Sequence, residues 1–249
     1  MTLCVEDADY SPFIVPSELP QDAGVLPELA LYAAQQTQQT IDLIRRPWKR
    51  CIDMVQKEQA DLILAAIWLP ERDVWGHYPK HATDPIGPPD RSKRLWTAEY
   101  PVFVANNSAL SFDGTQFSAT TIGLAGPPGY VVTKRLEAMG LLYSQPLMPL
   151  TGLRLVALER LDGYIVERHI GTHQLYQQNL QKKVRTLDTV FQRDDWYVVF
   201  SHLFAKQNPD AVRDFYTALA QARERFGQAL LDRHLEQARQ RYSATKTPR

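Results

Sequence analysis

The run D-L-I-L-A-A-I, Asp61 to Ile67, is apolar at every position after its first. A strand with one wet face alternates; one this uniformly apolar suits a parallel sheet covered on both faces. It is the third strand-like run in a repeating order. Leu3 to Asp7 reads as a strand, Gly24 to Ala34 as a helix that tolerates Pro27 only in its first turn, Thr40 to Ile44 as a strand, and Pro47 to Lys57 as a helix. The β-α-β-α-β order predicts an open, mainly parallel α/β sheet, whose ligands sit beyond the carboxyl ends of its strands.

The pattern then breaks and restarts. Residues 73 to 100 are rich in Pro, Lys, Arg and Asp without periodicity, and Pro101 to Ala105 is again strand-like. A second, smaller α/β unit follows: a strand at Thr121 to Ala125, helices at Tyr130 to Met139 and Gly152 to Glu159, a strand at Gly163 to Val166 and a helix at His169 to Leu180. Tyr197 to Ser201 is a returning strand, and from Pro209 a long helix with a solvated charged face runs to about Arg241. The last residues, S-A-T-K-T-P-R, predict a frayed end. With 249 residues the chain can bury the cores of two such units.

Charge and composition exclude several classes. Lys and Arg total 28, as do Asp and Glu, so nothing draws the chain to a nucleic acid or an anionic membrane. No apolar run approaches the roughly 20 residues of a membrane helix, so no membrane insertion is expected. The N-terminus M-T-L-C-V-E-D lacks the charged and apolar regions of a signal peptide; Met1, almost directly before the first strand, fits a chain whose leader has been replaced by a start codon, and equally a cytosolic protein. The only cysteines, Cys4 and Cys51, are either paired or two buried thiols.

The loop G-L-A-G-P-P-G-Y, from Gly123, looks like a phosphate cradle, but it carries no Lys at its end. No nucleophile elbow or metalloprotease motif is present either. His169 and His173 are spaced i,i+4, yet without a third ligand they read as an exposed helix face rather than a metal site. No catalysis, cofactor or metal is therefore expected.

Several phrases fall in one order: D-A-D-Y-S-P-F after the first strand, W-K-R-C-I-D-M-V-Q-K-E-Q-A-D-L-I-L-A, then L-P-E-R, E-Y-P-V-F-V, I-G-L-A-G-P-P-G-Y, L-D-G-Y-I-V-E and Y-V-V-F-S-H. In that order the chain resembles the bacterial extracellular solute-binding proteins of family 3. The resemblance implies a type II periplasmic-binding fold of two α/β lobes, residues 1–102 plus 192–249 and residues 103–191, joined by a two-strand hinge near Val102 to Ala105 and Asp188 to Arg193. It implies a monomeric periplasmic protein that closes on a small polar solute, an amino acid or a related carboxylate or amine, for an ABC permease. The alternative partner is a membrane sensor, and the protein is not an enzyme. It also implies a Cys4–Cys51 disulfide, since the first strand and second helix pack together in such a lobe and the family works outside the cytoplasm.

The resemblance assigns ligand contacts residue by residue. Tyr10 matches an aromatic that covers the ligand, against the reading of a half-buried loop aromatic; Trp48 matches a pocket wall, against plain core. Arg72 matches the carboxylate-gripping arginine, though alone it would read as a surface salt bridge with Glu71 or Asp73. Glu167 stands where the family has an Asp for the ligand's amino group, against the reading of a helix cap. Asp7 is expected to hold the turn before Tyr10, and Trp68, Trp75 and Tyr78 to line the cleft or pack. Two departures stand out. Ile67 replaces a Ser or Thr, and Pro127-Pro128-Gly129 replaces a Gly-Thr-Thr, leaving only amides from Gly129, Tyr130 and the following turn for an anion.

Overall fold

In a computed structural model that describes residues 1–17 and 19–244, the predicted order begins with β1 (Thr2–Glu6), α1 (Val25–Gln36), β2 (Asp42–Arg46), α2 (Trp48–Gln56) and β3 (Leu62–Ile67). The stretch read as aperiodic holds a hairpin, β4 (Lys80–His81) with β5 (Asp84–Pro89), and a strand, β6 (Trp96–Tyr100). There follow β7 (Val102–Ala105), the hairpin β8 (Ser111–Phe112) and β9 (Phe117–Ser118), β10 (Leu124–Ala125), α3 (Val131–Ala138), α4 (Pro149–Ala157), β11 (Gly163–Ile165), α5 (Arg168–Gln177) and β12 (Val184–Thr186). The chain ends with β13 (Gln192–Phe200), α6 (His202–Gln207) and α7 (Pro209–Ala244). Thr245 to Arg249, in the end expected to fray, lie outside the described residues.

The chain divides into two compact units. The first comprises Met1–Thr97 and Asp195–His234, the second Ala98–Asp194 and the chain from Leu235. In the first, the sheet order is β2-β1-β3-β13-β6, with β1 parallel to both β2 and β3 and β13 antiparallel to β3. The pairing of β3 with β13 slips between Tyr197 and Val199, and Ala65 on β3 sits at φ 61°, so β3 carries one extra residue as a bulge.

α1 has no side-chain N-cap. Its first amides, from Val25 and Leu26, donate instead to the carbonyls of Pro12 and Phe13 in the Y-S-P-F loop. That close approach requires Gly24: its φ is 105°, and a Cβ there would stand 2.5 Å from the Phe13 oxygen. Cys4 and Cys51 are bonded, joining β1 to α2 inside a core cluster with Val55, Ile63, Tyr78 and Val199.

In the second unit the sheet runs β10-β11-β7-β12, and it departs from the mainly parallel arrangement expected. Only β10 and β11 are parallel; β7 is antiparallel to both its neighbours. The strand expected over Thr121 to Ala125 shrinks to two residues for a local reason. The Asp162 carboxylate accepts the amides of Thr121, Ile122 and Gly123, which withdraws them from the ladder.

Candidate functional site

In the first unit, the elements at the carboxyl ends of β1 and β3 carry the residues singled out above. Asp7 is exposed, and its amide donates to the carbonyl of Arg46, at 3.1 Å. The turn it was expected to hold is held by Asp9 instead, whose Oδ1 accepts both the amide and the hydroxyl of Ser11. An Asp bonds most readily to the amide two residues on, and only Asp9 has Ser11 at that offset. Tyr10 is buried rather than half-buried, in a tight loop where its amide donates to the Ile14 carbonyl at 3.0 Å. Trp48, at the start of α2, and Trp68, just after β3, both pack on the disulfide cluster, and Trp75 and Tyr78 are part of it.

Arg72 follows in a short helical turn, Pro70–Val74. It is only 7% exposed, and its Nη1 donates to the main-chain oxygen of Ile67 at 2.9 Å. That oxygen also accepts from the Tyr78 hydroxyl at 3.2 Å, and the Trp75 ring centre lies 5.8 Å from the guanidinium carbon. The surface salt bridge that Arg72 taken alone would suggest does not form with Asp73, which is taken up by the indole of Trp68 and the ammonium of Lys80. Arg72 therefore has no carboxylate partner among the described residues, where a buried cation ordinarily has one.

In the second unit, Gly129 takes φ 82° before α3, and Tyr130 stands at the helix's N-cap. The Tyr130 amide, expected to await an anion, donates instead to the Pro127 carbonyl at 3.3 Å. The amides of Gly129, Val131 and Val132 take no partner among the described residues. Glu167 caps α5: its Oε2 accepts from the amides of His169 and Ile170 at 2.7 and 3.1 Å, and its Oε1 accepts nothing among the described residues. Burial pushes this carboxyl up to about 8, despite both amides and the Arg168 charge pulling the other way; Glu99 adds to the rise.

Three residues passed over in the sequence cluster here. The Glu99 carboxylate accepts from Arg168 Nε at 3.1 Å and from Arg193 Nε at 2.7 Å. Partners 69 and 94 positions away leave no local signal, so only placement on paired elements reveals them. His173 is buried, so the His169/His173 pair is not the exposed face it was expected to be. Among the described residues no group of three His, Cys, Asp or Glu could hold a metal ion, and no helix is long and apolar enough to cross a membrane.

No protein-family model matches the sequence, and no curated protein matches it. Solved structures do match. The GluR0 ligand-binding core from Nostoc punctiforme, in complex with (L)-glutamate, superposes with a TM-score of 0.71 at 13% identity, covering 94% of this chain and 98% of that one. A protein described as a candidate binding component of an ABC transporter from Wolinella succinogenes, complexed with lysine, gives 0.70 at 16%, covering 94% and 95%. A histidine kinase sensor domain with similarity to periplasmic binding proteins gives 0.67 at 16%, covering 97% and 95%. The chain thus has the two-lobed fold of periplasmic binding proteins.

Proposed function

We propose that the protein is a periplasmic solute-binding protein that captures a small amino acid, or a related carboxylate or amine, and does no chemistry on it. The observation that carries this reading is Arg72, a buried guanidinium with donors to spare and no protein carboxylate to use them among the described residues. A ligand carboxylate supplies the missing partner and suits its planar fork. The Oε1 of Glu167, which accepts nothing from the described residues, suits an ammonium group once the carboxyl has ionised, and the open amides ahead of α3 suit a second anionic oxygen. Tyr10 and Trp48 supply the apolar walls. In this reading the lobes are residues 1–102 plus 192–249 and 103–191.

Delivery to an ABC permease is the leading role, supported by the Wolinella succinogenes likeness. A sensing role is the second reading, supported by the likeness to a histidine kinase sensor domain. Calorimetry on refolded, ligand-free protein with L-glutamate, L-lysine, L-glutamine and small dicarboxylates and amines tests the binding claim. Saturable heat from one of them is expected; flat traces from all remove the amino-acid version. A mass spectrum of whatever copurifies narrows the ligand directly.

A further inference from the structure

The second unit holds a feature that the binding reading leaves unused. Glu99 lies two residues after the point where the chain first passes from one unit to the other, between Thr97 and Ala98. Arg193 lies just before the return, between Asp194 and Asp195. They sit on strands β6 and β13, and one carboxylate joins them, its two oxygens divided between Arg193 and Arg168. Arg168 is the first residue of α5, directly after Glu167, and its main chain belongs to the turn whose amides Glu167 caps. So a single side chain, Glu99, ties the start of α5 to both segments through which the chain passes between its units.

We propose that Glu99 is a positioning residue: by holding Arg168 and Arg193 together it couples the state of the Glu167 carboxyl to the geometry of the two passing strands. The coupling rests on the binding reading for its use, because a ligand ammonium at Glu167 is what changes that state. Its physical path does not depend on the ligand. The charges acting on Glu167 are Arg168, which favours its ionised form, and Glu99, which opposes it, with Arg193 acting through Glu99. The pairs are a third or more exposed, so their part is orientation rather than stability.

The test uses the full, ligand-free chain with ¹³C-labelled glutamate side chains, following the Glu167 carboxyl by NMR against pH, together with amide exchange over residues 98–105, 168–171 and 188–194. Glu99→Gln removes the opposing charge and releases Arg168, so the Glu167 midpoint falls, while exchange quickens at both passing segments and at the α5 start. Arg168→Gln moves the midpoint the other way, upward, which general loosening of the fold cannot do. Arg193→Gln leaves the midpoint near its wild-type value and quickens exchange on the passing strands. A Glu167 midpoint that stays put in both Glu99→Gln and Arg168→Gln overturns the proposal, as does exchange confined to the mutated residue. Calorimetry with L-glutamate and L-lysine on the same variants separates the two ideas: flat heats in the wild type sink the binding reading while the NMR and exchange results still decide the coupling.

Discussion

Arg72 donates to the main-chain oxygen of Ile67 across 2.9 Å, five residues back along its own chain, and has no carboxylate partner among the described residues. One neutral acceptor leaves most of a buried guanidinium's desolvation uncompensated. Arg72→Met is therefore expected to stabilise the free protein, by about 1 kcal/mol, while weakening ligand binding about 10- to 100-fold. Urea unfolding alongside calorimetry checks both halves; unchanged affinity would remove Arg72 from the site.

Glu167 gives a prediction in pH. Its carboxyl titrates near 8 in the folded chain, against an ordinary value near 4.5, so between those values the folded state holds a proton that the unfolded state has lost. Stability from this group is complete below about pH 4.5 and is lost as pH rises through about 8. Glu167→Gln keeps an acceptor for the α5 amides and cannot ionise, so its stability is expected to decline less over that window. Parallel wild-type and variant slopes in unfolding free energy against pH would contradict the assignment.

The Cys4–Cys51 bond closes a loop of sequence separation 47 within the first unit. Chain entropy puts its contribution at about 4 kcal/mol. Replacing both cysteines with alanine is expected to lower the urea midpoint by a corresponding amount, and reduction of the wild type to reproduce most of the loss. A midpoint unchanged by reduction would show that the bond does not restrain the unfolded chain.

Two backbone positions with positive φ respond in opposite directions. Ala65, at φ 61°, carries a left-handed penalty that a glycine there would escape, so Ala65→Gly is expected to be neutral or stabilising by up to about 1 kcal/mol. Gly24→Ala is expected to cost more than about 1 kcal/mol, because the new Cβ meets the Phe13 carbonyl and the φ is wrong for it as well. Thermal melts that rank the two variants the other way round would refute this account of the turn and the bulge.

The parts legible in the sequence are those with a repeating signal. Five alternating elements up to Ile67, and their restart after Pro101, are enough for the α/β class, because apolar periodicity reports burial directly. β4, β8, β9 and β12 are two or three residues long, too short for any period to register. β6 escapes because W-T-A-E-Y mixes polar and apolar residues beside a Pro- and Arg-rich stretch. At the site, Arg72 is reached through resemblance alone: nothing in L-P-E-R says that Asp73 is already engaged by Trp68 and Lys80 and leaves Arg72 without it. Asp9 is legible, since D-Y-S-P places its carboxylate two residues before the Ser11 amide, whereas Asp7 stands four before it. The Glu99 cluster is not legible, because its partners meet only once the sheet is assembled.

The extra residue in β3 bears on how this site tolerates change. Removing one residue from Leu64-Ala65 would restore a regular ladder with β13 in which Ala66 still opposes Tyr197 and Ile67 still opposes Trp196, but it would take away the bend and extra twist that the bulge gives β3. Ile67 and the turn bearing Arg72 lie just beyond it. A one-codon deletion there would thus yield a better-paired sheet and a misdirected arginine, so a library screened for solubility alone would enrich a variant that a screen for binding discards.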